Sequence, residues 1–415
     1  MNRRLNIHSE TGRLRRVIVH TPGPEVEAMR PSKAEEDLYN DIIPMDIVQA
    51  EHAVLTGFLS RVAIVHEVSS LLEESLASAE ARSAFALMLS DHFGVANRFD
   101  DLAAMDAPTL AIAAIRGLPS RHARLEDFLR DREYDIQPLP NMYFMRDAAV
   151  VYRDRSISPA MRFPVRRTEA LIHRFIFDHH PDFHGAGRLL DGPALVREGF
   201  SIEGGDFQAL GKNVVAIGIS ERTSAAAVDT IAGSLTECYS EPFTVFAVEL
   251  PVARATIHLD MVFTVIDRDA CLIYKPVIMG PRRARVARID VSPGKEPHIS
   301  EVPSLLEGLK AAGMDLEPVF TGGVDPIRQE REQWLSGANS FSFAPGKILV
   351  YSCNMHTVDA LSAAGFEFRQ ARDILADNED PFSFKRLVVG FDGVELARGG
   401  GGARCMTCPV ERDEL

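Results

Sequence analysis

Short apolar runs rich in β-branched residues recur along the chain, separated by longer mixed stretches and by Gly/Pro punctuation. RRVIVH (15–20), RVAIVHEV (61–68), AAVVYR (148–153), NVVAIGIS (213–220), FTVFAVEL (243–250), MVFTVID (261–267), CLIYKPVIM (271–279), KILVYS (347–352) and RLVVGF (386–391) read as strands. Their alternation with helical stretches predicts an α/β or α+β protein. One segment breaks the alternation. From Ser69 to about Arg132 there is no convincing strand, and Ser70-Leu-Leu-Glu73 has the form of a capping box. Around it Leu72, Leu76, Ala79, Ala86 and Leu87 recur at helical spacing, with Ser83 the one polar residue on that stripe. The segment, bounded at 69–137, reads as a helical insertion of two or more hairpins, with Pro108 and Pro119 marking boundaries. A separate helical domain with its own function is the alternative reading. No low-complexity tract or sequence repeat is visible.

Composition narrows the classes. At 415 residues, 46% hydrophobic and 25% charged, the chain has ample material for a core. That length suits roughly two to three domains or one large repeat architecture. The net charge of −14 opposes a nucleic-acid or anionic-membrane partner and tolerates a cationic small substrate. The arginines of MNRRLNIHSETGRLRRVIVH are not followed by an apolar secretory region, and the clearest uncharged apolar run, Ala107 to Ile115, has nine residues. A cytoplasmic location is therefore expected. Five cysteines, an odd number with Cys238, Cys271 and Cys353 widely scattered, do not form a disulfide framework, so reduced thiols are expected.

Four constellations carry candidate chemistry. If IHLDMVF (257–263) is a strand, its period of two puts His258 and Asp260 on one face, although such pairs are more often solvated strand faces. In SIEGGDFQAL (201–210), Glu203 and Asp206 bracket Gly204-Gly205. Two carboxylates on such a bend can hold a cation or orient an imidazole, and as often accept the loop's own amides. In PLPNMYFMRDAAVVY (138–152), Asn141, Phe144, Arg146 and Asp147 crowd the entry to a strand, where Arg146 and Asp147 form a surface pair or Asp147 faces a cavity roofed by Phe144. RGGGGARCMTC (398–408) sets a C-x-x-C behind four glycines. A thioredoxin-like motif opens a helix after a strand, and a zinc site needs two further ligands; neither partner set is evident. The glycines supply backbone that can approach a substrate, and a redox pair, a metal ligand and a nucleophile all stay open for Cys405.

Taken in order, LPNMYFMRD, IEGGD, ISERTS (219–224), HLDMVFTVID, REQWLSGAN (331–339) and GGGGARCM resemble arginine deiminases, hydrolases of the guanidino-group-modifying superfamily. The likeness starts at GRLRRVIVHTPGPE (12–25) and recurs to the final residues. It implies the pentein fold: a five-bladed α/β propeller of ββαβ repeats formed by 1–68 and 138–415, with a helical domain at the strand-poor insertion. It implies hydrolysis of L-arginine to L-citrulline and ammonia through a covalent amidino-cysteine, the alternative being a related hydrolase that takes another guanidino compound or carries arginine through to ornithine. By the same resemblance Cys405 is the nucleophile, His258 the general acid/base, and Asp147 with Asp260 the clamp on the guanidinium. Glu203 supports imidazole and guanidinium, with Asp206 beside it, Phe144 lines the substrate, and Asn141, Arg166 in FPVRRTE and Arg222 in SERTS grip the α-carboxylate. No metal or organic cofactor is implied, the partner is L-arginine, and a homo-oligomer is expected.

These residue types suit the chemistry. A guanidinium is a resonance-stabilised cation and a poor electrophile, so its carbon must be fixed beside a strong nucleophile. Forked pairs with two carboxylates hold its plane still. One departure stands out: many arginine deiminases read Y-x-R-N-T-x-T-N near the last repeat, whereas this chain has YSCNMHTV (351–358), with Cys353, Met355 and Val358 at usually polar positions.

Overall fold

The computed structural model describes residues 5–39, 41–121, 125, 129 and 133–415. Five sheets repeat one order: an antiparallel pair, then a third strand parallel to the second. Val150–Tyr152 pairs with Arg155–Ser158, which runs parallel to Gly187–Asp191. The second sheet is Phe207–Gly211, Val214–Ile219 and Phe243–Glu249; the third is Phe263–Val265, Ala270–Ile273 and Glu317–Phe320. The fourth is Phe341–Ala344, Lys347–Tyr351 and Leu387–Phe391, with Glu367–Gln370 along its edge. In the fifth, Cys408–Arg412 lies antiparallel to Leu14–Val19, which is parallel to Ile64–Glu67.

A parallel neighbour needs a crossover, and helices supply it. Arg167–His179, Ala225–Cys238, Leu305–Ala311, Met355–Ala363 and Met45–Val62 lie between second and third strands of the successive sheets. Central strands such as Val214–Ile219 and Leu387–Phe391 are buried almost throughout, which is why they read as unbroken apolar runs. A hairpin from the third crossover, Arg285–Val291 with His298–Val302, extends the second sheet by pairing with Phe243–Glu249.

Several boundaries differ from the sequence reading. CLIYKPVIM is not one strand: the strand stops at Ile273, and Lys275–Ile278 turns helical with Pro276 in its first turn, where a missing N–H costs nothing. In RVAIVHEV, Arg61 and Val62 end the long crossover helix, and only Ile64–Glu67 is strand. Ser70 does not cap. The helix Val68–Ser75 starts earlier, at Glu67, whose carboxylate is taken by Thr21 and His20. The stripe from Leu72 to Leu87 is not continuous either, because Ser78 caps a new helix, Ala79–Phe93, and resets the phase. Leu72, Leu76 and Ala86 are buried, whereas Leu87 is 52% exposed and Ala79 faces outward.

Phe99–Ala103 and Ala107–Arg116 complete the helical segment. The strand-free expectation fails at Leu118–Pro119, a short strand paired with Tyr134–Ile136, while the expected boundary near 132 lies outside the described residues. Phe85 packs against Phe175 with ring centroids 4.7 Å apart, and Leu71, Leu72 and Leu110 share a core with Ile157 and Ile172 of the first sheet and its crossover. The segment is thus fastened to that sheet by apolar packing. Among the described residues no helix is long and apolar enough to cross a membrane.

Candidate active site

The turn leading into the first strand of each sheet delivers polar groups to one centre. Met145–Ala148 carries Asp147, Gly204–Asp206 follows Glu203, and Leu259–Met261 carries Asp260 with His258 just before it. Asn339 stands two residues before Phe341, and Cys405 three before Cys408. IHLDMVF is therefore not a strand up to Phe263. His258 is extended (φ −138°, ψ 161°), the next three residues form a 3-10 turn, and strand begins only at Phe263. His258 and Asp260 reach the centre from a turn rather than from a shared strand face.

The centre opens into a cavity of about 460 Å³ lined by Asn141, Phe144, Asp147, Arg166, Arg222, His258 and Cys405 among others. A larger groove of about 610 Å³ beside Trp334 and Met355 includes Cys353 and His356, and none of the residues gathered at the centre. Val358 is buried in the core, so of the three departures only Cys353 and Met355 face that groove.

His258 Nε2 lies 3.0 Å from Glu203 Oε2 and its Nδ1 3.5 Å from Asp147 Oδ1. Burial alone would lower its pKa, but Asp147, the Glu203 hydrogen bond and Asp206 outweigh it and raise it to about 9. Glu203 goes the other way: against burial, Arg222 and His258 bring it down to about 2. Cys405, 2% exposed, has Sγ 3.7 Å from Asp260 Oδ2. Burial, then the Asp260 and Asp147 carboxylates, push its thiol well above the ordinary cysteine value.

The two acids of the expected clamp are each held by one oxygen. Arg166 Nη1 donates to Asp147 Oδ2 at 2.5 Å, and Arg404 Nη1 donates to Asp260 Oδ2 at 2.9 Å. Among the described residues their other oxygens, Asp147 Oδ1 and Asp260 Oδ1, are buried with no hydrogen-bond partner, as is His258 Nδ1, which faces Asp147 Oδ1 only at 3.5 Å. Such orphaned acceptors are costly unless something donates to them.

The remaining expected residues separate. Arg166 also donates to Glu169 at 2.8 Å and to the Phe144 carbonyl at 3.0 Å, so its guanidinium is largely engaged by protein. Arg222 reaches Glu203 at 3.3 Å and lies over the Phe163 ring, with its Nε unpartnered. Asn141 lines the cavity while its amide nitrogen donates to the Asp37 carbonyl. Asp206 sits behind the cavity, accepting from the Leu259 N–H and the Ser220 hydroxyl, which pins the His258 turn; burial raises it to about 6.

Asp147, Glu203 and His258 offer ligand atoms within 4.8 Å of one another, a spacing that a cation could use. Yet Asp147 Oδ2 and Glu203 Oε2 already face guanidinium groups and Glu203 Oε1 accepts from the Arg162 N–H, which leaves Asp147 Oδ1 opposite His258 Nδ1. The cysteines are unpaired with each other. Cys408 lies on a strand with its thiol toward the Ala149 carbonyl at 3.4 Å, in a different apolar cluster from Cys405.

The glycine run is set by proximity. Gly400 has φ +93°, and a Cβ on Gly401 would meet Phe144 at 2.5 Å and Cys405 at 2.9 Å. Sequence reasoning assigned no role to Asn339, Arg404, Glu169 or Glu10. The first three lie inside motifs already quoted, REQWLSGAN, GGGGARCM and FPVRRTE, whereas Glu10, which accepts from Arg404 at 3.0 Å, carried no local signal.

A family model described as arginine deiminase matches residues 36–412. The arginine deiminase of Treponema denticola is 32% identical over 435 residues, covering 99% of each chain, and that of Clostridium perfringens is 33% identical over 444 residues, covering 100% of this chain and 99% of the relative. Among solved structures, the amidinotransferase SxtG from Microseira wollei is similar with a TM-score of 0.56 at 14% identity, covering 99% of this chain and 98% of that one. A Pseudomonas aeruginosa DDAH mutant complexed with citrulline has a TM-score of 0.50 at 12% identity, covering 96% and 99%.

Proposed function

Since the chain belongs to the arginine deiminase family, we propose that it hydrolyses L-arginine to L-citrulline and ammonia through a covalent amidino adduct on Cys405. The observation that carries this reading is the pair of unpartnered oxygens, Asp147 Oδ1 and Asp260 Oδ1, beside a buried thiol. A guanidinium donating to both would fill the orphaned acceptors and bring its central carbon to Cys405.

Entry of the cation cancels the field of the two carboxylates, and the thiol gives its proton to solvent. The thiolate attacks the guanidinium carbon, forming a C–S bond. The His258 imidazolium protonates one amino group, the C–N bond breaks, and ammonia leaves. Neutral His258 then takes a proton from water as its oxygen attacks the same carbon. The C–S bond breaks, the electron pair returns to sulfur, and L-citrulline departs once its protonated carbonyl gives a proton to solvent. Glu203 holds the imidazole, Asp206 fixes the turn that carries it, Phe144 covers the substrate, and Asn141 with Arg166 and Arg222 forms the end that receives the α-carboxylate.

The five sheets of common order are read as the blades of an α/β propeller built from 1–68 and 138–415, with 69–137 as its helical insertion. Five free cysteines suit a reducing cytoplasm. Incubating the pure protein with L-arginine, agmatine and methylated arginines, and identifying every product by mass, tests the function. L-Citrulline and ammonia from L-arginine are expected; ornithine, or faster turnover of another guanidino compound, would displace the reading.

A further inference from the structure

The centre is assembled from five turns, one per sheet, and four of them already have roles through Asp147, Glu203, the His258–Asp260 pair and Cys405. The fourth sheet contributes Asn339, for which those roles leave nothing to do. Its side chain is buried, and its orientation is settled by its neighbours. The backbone N–H groups of Arg404 and Cys405 both donate to Oδ1, at 3.0 and 3.2 Å, so this atom must be the oxygen. Nδ2 consequently faces Cys405 Sγ at 3.2 Å, with the Asp260 carbonyl, also at 3.2 Å, and Met261 Sδ, at 3.7 Å, as further acceptors. The approach is close enough that a Cβ on Gly402 would stand 2.8 Å from Asn339 Oδ1 and Cβ, so the last glycine of the run is what lets the amide reach the nucleophile.

We propose that Asn339 is a catalytic residue that donates a hydrogen bond to the Cys405 sulfur and stabilises its thiolate while gripping the loop that carries it. The proposal rests on Cys405 being the nucleophile. Its physical basis is the charge around the sulfur. Burial and the Asp260 and Asp147 carboxylates oppose ionisation, the Arg404 guanidinium paired with Asp260 offsets only part of this, and the clamp needs both acids, so the opposing field remains. A neutral N–H donor is the compatible remedy: it favours a negative sulfur without repelling the substrate cation, as a lysine or arginine at the same spot would. When the S–H bond breaks and its proton leaves for solvent, the electron pair left on sulfur faces Nδ2. The Gly402 backbone acts in the same sense.

Asn339→Asp keeps an oxygen for the two backbone donors, removes the N–H from the sulfur and adds a negative charge that itself opposes ionisation, whereas Asn339→Ala removes both contacts without adding charge, so the Ala midpoint is the one that reads the lost N–H. Iodoacetamide alkylation at Cys405, followed across pH by mass of its peptide, reads ionisation without turnover. Both variants should move the alkylation midpoint upward by about one pH unit or more. kcat should fall by about 10- to 100-fold, with KM for arginine little changed. Wild-type alkylation midpoints in folded variants, whatever their activity, would overturn the proposal, as would wild-type kcat in Asn339→Asp. Cys405→Ala is the separate control: if it still made citrulline, the nucleophile assignment itself would fail while the alkylation result still judged Asn339.

Discussion

Arg166 and Asp147 form a 2.5 Å ion pair inside the cavity, so the cation expected at the α-carboxylate end already holds one oxygen of the proposed guanidinium clamp. Arg222 is less committed, with one contact to Glu203 and an unpartnered Nε. The two arginines should therefore behave differently. Agmatine, which lacks the carboxylate, is expected to react with kcat/KM about 100-fold or more below arginine. Arg222→Ala should lower activity on arginine and narrow that gap. Arg166→Ala should lower activity on both substrates by about 100-fold or more, because it also releases Asp147 and Glu169. Steady-state kinetics on the two substrates decide it, and equal processing of both by the wild type would remove the grip altogether.

Cys405 and Cys408 should part just as clearly. Cys405→Ala should make no citrulline. Cys408→Ala should keep most of the activity and lose about 1 kcal/mol of stability, since its thiol contributes packing and a contact to Ala149. Product assays alongside denaturant unfolding read both, and equal loss of activity from the two variants would restore the redox-pair reading.

Two titrations should move downward together when a guanidinium ligand binds. His258 stands at about 9 in the free protein, held up by Asp147, Glu203 and Asp206, and Cys405 well above the ordinary value, held up by burial, Asp260 and Asp147, so Asp147 acts on both. A bound cation weakens that field. The His258 ring resonances should titrate near 9 without ligand and lower with it, so kcat, which needs the imidazolium, should decline as pH rises through the lower value. Ultraviolet difference titration against Cys405→Ala should detect no thiolate below about 8.5 in the free protein. The raised His258 value also stabilises the fold: that contribution is complete below about 6.5, the unfolded value, and is lost as pH climbs through about 9.

Phe85 tests the helical segment. It is fully buried against Phe175, so Phe85→Ala should cost about 3–5 kcal/mol. Because the core is shared with the first sheet, unfolding should remain cooperative and limited proteolysis should leave no active core lacking the segment. Release of a folded helical fragment from a fully active remainder would show the segment to be independent.

What the sequence disclosed follows the physics of each element. Strands buried on both faces, such as Val214–Ile219, announce themselves as apolar runs; Arg155–Ser158, with polar residues in the pleat, and His298–Val302, with no buried residue, do not. The candidate residues were legible because their motifs are local, and the structure gathers Asp147, Glu203, His258, Asp260 and Cys405 from four turns. Their supports were not. Glu10 reaches Arg404 across 394 residues of sequence, and Asn339 meets Cys405 across 66, distances over which no spacing rule operates.

The fifth sheet, in which Cys408–Arg412 lies against Leu14–Val19, has a consequence for the time at which the protein becomes competent. Arg412 donates to the Gly12 carbonyl across 400 residues, and Cys405 stands on the turn entering that same strand. During synthesis Leu14–Val19 is made long before its antiparallel partner and has only Ile64–Glu67 to pair with. Contacts of such separation close late, because their loop entropy must be met before they return any stabilisation. The helical segment and the middle sheets, whose contacts are local, can be in place while Cys405, the proposed nucleophile, is still untethered. Activity should accordingly be the last property regained on refolding, lagging the recovery of helical signal, and an incompletely closed chain would be inert toward guanidinium groups.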